Sequence, residues 1–194
     1  MNTPPTPPST PPPNPPSSRS TRRRPSAATP NEPPPSDPAG PFLIWAIDDG
    51  PSHLERIART FNALAAPEIV LETWLDGLLA AEAYDRRLAE GDLSALPRVV
   101  FMDFFLGDGL DGGALTRRMV NAYKNRPKIA RHAHRPIVIG HSSVPDCSAL
   151  IAALGGGFCL EKRGLAPISE PIRAAFDTPE KRAYLLKHRK PLAT

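Results

Sequence analysis

The chain has 194 residues, 26 of them proline, and a formal net charge of +4. No stretch approaches the ~18 apolar residues that a membrane span needs, and no apolar h-region follows Arg22-Arg23-Arg24, so neither an anchor nor a twin-arginine export signal is expected. The two cysteines, Cys147 and Cys159, fit no metal spacing and are expected to be reduced thiols of a cytoplasmic protein.

Sixteen of the prolines fall in residues 1–41, among many Ser, Thr and Asn and without an apolar run. Such a segment cannot bury enough surface to offset its ordering entropy, so a disordered, partly polyproline-II extension is expected there. Residues 42–177 carry the apolar content and suffice for one core. Residues 1–41 hold four Arg against Glu32 and Asp37, a charge of +2; residues 178–194 hold five Lys or Arg against Glu180, a charge of +4. The middle is therefore near −2, and the basic character belongs to the two ends.

Phe42–Ile47 is a continuous apolar run, as expected of a strand buried on both faces, and it ends in Asp48-Asp49-Gly50. Ser52 with Glu55 has the spacing of a capping box, followed by Leu54, Ile57, Ala58, Phe61 and Leu64 at helical spacing. Glu68–Trp74 is a second predicted strand and Leu78–Glu90 a second helix. A short apolar strand, Arg98–Met102, ends at Asp103, and a third helix is predicted over Leu110–Asn125.

Pro136–Gly140 is the fourth strand, followed by His141-Ser142-Ser143. The fourth helix, Pro145–Leu154, stops at three glycines, and a fifth strand, Phe158–Glu161, ends at Lys162. Ser169–Phe176 is helical, and a last helix starts with Thr178 as N-cap and Pro179 at its first position. Strict β/α alternation implies a doubly wound, five-stranded parallel sheet with helices on both faces.

In such sheets the ligand crevice lies beyond the carboxyl ends of the strands. Asp48, Asp49, Asp103, Ser142 and Lys162 all fall there. Each alone has a plainer reading: an acidic pair opens turns, a serine caps a helix, a lysine is solvated. Together they have a chemistry. Clustered carboxylates repel one another, so a hard cation such as Mg2+ suits them. An aspartate nucleophile can take a phosphoryl group as an acyl phosphate. Lys162 would pair with the new dianion and the Ser142 hydroxyl would donate to another phosphoryl oxygen.

These segments resemble the receiver domain of bacterial response regulators. Leu43–Ile57, with the acidic pair, is similar to that family's first strand and helix. Val99-Val-Phe-Met-Asp-Phe-Phe-Leu-Gly-Asp-Gly109 is similar to its phosphorylation segment, Pro136–Ser142 to the strand with the hydroxyl switch, and Gly155–Lys162 to the last strand with its lysine. The resemblance implies a flavodoxin-like receiver fold over 42–177. It also implies that Asp103 is the phosphoacceptor, that Asp49, Asp103 and the Phe105 backbone carbonyl ligate Mg2+, and that Asp48 acts through metal-bound water.

It further implies a histidine kinase or phosphotransfer protein as donor. Beyond its own phosphotransfer and dephosphorylation, no enzyme activity is implied. Counting from Pro136 puts His141 at the usual hydroxyl position; Ser142 is preferred because the role needs a small hydroxyl. Arg163-Gly164 replaces the usual proline after the lysine, and Cys159 stands at the usual aromatic position.

No output domain is visible. The 17 or so residues after Asp177 are expected to form a basic helix or tail that signals by protein contact to an unnamed target, with no specific nucleic acid and no membrane. Two alternatives are a pseudo-receiver that binds without being phosphorylated, and an aspartate-nucleophile phosphohydrolase. The latter lacks its second acid, since Phe105 stands two residues after Asp103.

Overall fold

A computed structural model describes residues 40–107, 110–124, 135–162, 168 and 170–191. Residues 1–39 of the Pro-rich extension, Asp108 and Gly109 of the loop after the third strand, residues 125–134 and Arg163-Gly164 lie outside the described residues.

The elements run β1 (Phe42–Ile47), α1 (Pro51–Asn62), β2 (Ile69–Trp74), α2 (Gly77–Glu90), a 3-10 turn (Leu93–Ala95), β3 (Val99–Met102), α3 (Gly112–Lys124), β4 (Ile137–Ser142), α4 (Pro145–Gly155), β5 (Cys159–Glu161), α5 (Glu170–Ala174) and α6 (Pro179–His188). The five strands form one parallel sheet in the order β2-β1-β3-β4-β5. The order reverses between β1 and β3, so the crevice of such a sheet opens at the carboxyl ends of those two strands.

β1, β3 and β4 are buried at every position, whereas edge strand β2 is half-exposed. Side chains alternate between two cores. Leu43, Trp45, Ile47, Val100, Met102 and Val138 pack under α2, α3 and α4. Phe42, Ile44, Ala46, Val99, Phe101, Ile137 and Ile139 pack under α1, α5 and α6, through Leu54, Ile57, Phe61, Ile172 and Leu185. The helix faces are brought close where glycine leaves room: a Cβ at Gly140 would lie 2.1 Å from the Ser148 carbonyl oxygen of α4.

Two expectations are corrected. Ser52 does not cap α1: the N-cap is Gly50, without a side-chain cap, and Pro51 occupies the first helical turn. Proline has no N–H to be capped and its fixed φ suits that position, which moves the helix start ahead of Ser52.

The domain also does not stop at Asp177. Leu185 of α6 is fully buried in the second core. Arg182 is buried, donates to the Phe176 carbonyl at 2.8 Å and to Glu68, and lies 5.7 Å over the Phe42 ring. Arg189, left-handed at φ 55°, donates to the carbonyls of Gly156 (2.5 Å), Gly155 (2.7 Å) and Pro136 (2.8 Å). Two of the five cations expected on a basic tail are thus built into the domain. Their guanidinium heads satisfy backbone carbonyls.

Among the described residues no helix is long and apolar enough to cross a membrane.

Candidate functional site

The strand register explains which side chains meet. Ile47 pairs with Met102, Met102 with Gly140, and Gly140 with Cys159. The next row contains Asp48, Asp103, His141 and Leu160. By alternation all four point to the α1 side, as Ile139 and Ala46 do two residues earlier, and Lys162 follows Leu160 by two.

Asp48 and Asp103 are buried and Asp49 is exposed; one oxygen from each lies within 4.8 Å of the others. The Lys162 ammonium, itself nearly buried, sits 2.8 Å from Asp48 Oδ2 and 2.7 Å from Asp103 Oδ2. Asp103 Oδ1 accepts the Phe104 N–H at 2.7 Å. Asp48 Oδ1 accepts the Gly50 N–H at 2.9 Å and lies 3.2 Å from His53 Nδ1. α3 starts close against Asp103: the Gly112 N–H donates to the Phe104 carbonyl, and a Cβ on Gly112 would stand 1.9 Å from the Asp103 carbonyl oxygen. Phe105 lies in the loop between β3 and α3 with its ring exposed.

His141 is buried, with Nε2 3.1 Å from Arg56 Nη2 and Nδ1 4.0 Å from Asp48 Oδ2. Burial first, then the Arg56 and Lys162 charges, push its pKa down to about 3, with Asp103 opposing. Burial also lowers the Arg56 pKa, against the attraction of Asp48.

The expectation that Ser142 faces the acids is corrected. One residue past His141, it points to the opposite face. Its hydroxyl accepts the Val144 N–H at 3.4 Å, and Ser148 of α4 bonds both its N–H and its carbonyl. Asp48, Asp49, Asp103 and Lys162 are therefore brought together as expected, and Ser142 is not part of that group. Cys159 is exposed, while Phe158 packs against the α1-side core.

His53 and Arg56 belong to no motif of the sequence, yet both reach the site. Their signal is the spacing His53, Arg56, Thr60, one stripe of α1 in which Arg56 and Thr60 are buried beside Ile57 and Phe61.

The donor set fits a hard divalent ion. Mg2+ keeps its oxygens at ~2.1 Å, so its ligands lie about 3–4 Å from one another, within side-chain adjustment of the observed cluster. Three carboxylates against Lys162 and Arg56 leave one net negative charge, which a divalent cation would reverse.

No protein-family model matches the chain, and no curated protein matches it. Solved structures do. The Mn2+-bound form of the response regulator Rcp1 is 17% identical, with a TM-score of 0.50, over 79% of this chain and 100% of that one. A fusion that includes a trimeric coiled-coil segment of yeast Spc42 is 18% identical, with a TM-score of 0.50, over 76% of this chain and 81% of that one. The phosphorylated cyanobacterial phytochrome response regulator RcpA is 20% identical over 64% of this chain and 83% of that one, with a TM-score of 0.49. The five-stranded parallel sheet and its helices are the flavodoxin-like receiver fold.

Proposed function

We propose that the chain is a phosphoacceptor receiver of a two-component phosphorelay, with Asp103 as the acceptor. The observation that carries this reading is the Lys162 ammonium held between two buried aspartates at adjacent strand ends. A structural ion pair needs one partner, not three acids and a cation gathered at the sheet's topological switch point.

An Asp103 carboxylate oxygen attacks the phosphorus of a phosphohistidine on a histidine kinase or phosphotransfer protein. The O–P bond forms, the P–N bond breaks, and the departing imidazole nitrogen keeps the electron pair. Asp49, Asp103 and the Phe105 carbonyl would hold Mg2+, with Asp48 acting through water. The bound ion would neutralise charge on the transferring group. Lys162 then stays paired with the acyl phosphate through a charge-assisted bond. The chain has no other catalytic role than this transfer and its own dephosphorylation. Its signal passes by protein contact to a downstream target.

The test is intact-mass analysis after incubation with Mg2+ and acetyl phosphate. One phosphoryl group should add to wild type and none to Asp103→Asn. Labelling of that variant at another residue would sink the assignment.

A further inference from the structure

The Ser142 hydroxyl, expected to hold a phosphoryl oxygen, is turned away from the acids. Ser142 sits on the α4 face, engaged with Val144 and Ser148. The residue in the row of Asp48 and Asp103 is His141.

We propose that His141 donates from Nδ1–H to the phosphoryl group on Asp103, and that Arg56 is the positioning residue that fixes the imidazole for this. The inference rests on the phosphoacceptor reading above. The chemistry of the pair dictates the tautomer. A guanidinium has five donors and no acceptor, so the contact at 3.1 Å requires a lone pair on His141 Nε2. A neutral ring with a bare Nε2 carries its proton on Nδ1.

Nδ1 is the nitrogen on the Asp48 side, and at 4.0 Å from Oδ2 it is too far for a hydrogen bond. A tetrahedral oxyanion covalently held on Asp103 offers three acceptor oxygens beside it. Lys162 takes one, and the His141 N–H is placed for another. The bond then runs on from His141 to Arg56, so occupation of Asp103 is felt at α1. A serine in this position has no ring to carry that link.

The experiment uses the full chain with 15N-labelled histidine. Long-range 1H–15N correlation is recorded before and after addition of Mg2+ and beryllofluoride, with 19F NMR reporting uptake. In the free protein His141 should show a protonated Nδ1 and a bare Nε2. Uptake should shift the Nδ1 resonance. His141→Leu should weaken beryllofluoride uptake about tenfold, the scale of one hydrogen bond to a charged group. His141→Asn, which restores an N–H donor at similar reach, should recover most of it. Arg56→Met should still take up the probe but show a mixture of His141 tautomers.

Uptake by wild type with His141 unmoved, and Ser142→Ala rather than His141→Leu losing affinity, would overturn the inference and leave the phosphoacceptor reading standing. No uptake by wild type would overturn both.

Discussion

Cations are built into both ends of this sheet, and they are held differently. At the amino-terminal ends, Arg189 is bonded to three backbone carbonyls and Arg182 to a carbonyl and Glu68, close to where β1, β2 and β4 begin. At the carboxyl ends, Lys162 lies between two aspartates and Arg56 meets an imidazole. A part-buried carbonyl that loses its guanidinium loses its partner, so the first arrangement is tied to folding. Carboxylates and imidazoles can change partners when a ligand or metal arrives, so the second arrangement is suited to chemistry. The prediction is that the two ends separate stability from function.

The largest expected effect is on phosphoryl uptake. Lys162→Met should slow acetyl phosphate labelling by about 100-fold, the loss typical of one preorganised charge-stabilising donor. Arg189→Ala should stay within about twofold of wild type in the same intact-mass time course. Comparable slowing by both would erase the distinction between the ends.

Stability should show the reverse. Arg189→Ala leaves the carbonyls of Pro136, Gly155 and Gly156 without their donor and should cost roughly 2–4 kcal/mol. Chemical denaturation with an unchanged midpoint would show that the latch between α6 and α4 contributes nothing.

The pH dependence sharpens the comparison at the site end. His141 has its pKa lowered from 6.5 to about 3 in the folded protein. Between these values the unfolded chain binds the proton and the folded one does not. The associated stability is therefore fully present above ~6.5 and lost as the pH falls towards 3, at up to about 1.4 kcal/mol per pH unit. His141→Leu should remove this component, so the wild-type and variant curves, measured without metal, diverge below that pH. Parallel curves would mean that the ring is already charged when folded.

The strands and the convergence of acids and lysine were legible because fully buried strands are continuous apolar runs, each ending at its polar residue. The same burial hid the orientation. β4 is apolar on both faces, so Ile137–Gly140 carries no period-2 signal to tell which of His141 and Ser142 points to the acids. Counting from Pro136 favoured His141, chemistry favoured Ser142, and only the pairing of Gly140 with Met102 decides. α6 was hard to place for a related reason. Its charged composition suggests a solvated helix, yet Leu185 and the guanidinium of Arg182 over Phe42 provide contacts that dock it. What arginines bond to over 33 to 114 residues of chain is tertiary information.

The smallest effect concerns how the helices begin. α6 has a true cap: Thr178 Oγ1 accepts the Lys181 N–H at 3.3 Å. α1, which opens at the acidic site, has none from Ser52. Instead Gly50 leads into Pro51, its carbonyl accepts from His53 and Leu54, and its own N–H is held by Asp48. Thr178→Ala should then cost about 1 kcal/mol, as a lost N-cap does. Ser52→Ala sits inside the first turn on an exposed face and should stay within ~0.3 kcal/mol, even though Ser-x-x-Glu has the spacing of a capping box. The relevant measurement is the denaturation midpoint of both variants under one set of conditions. A Ser52→Ala cost equal to that of Thr178→Ala would restore the capping box. It would also remove the contrast between a helix start tied to a site aspartate and one closed by its own side chain.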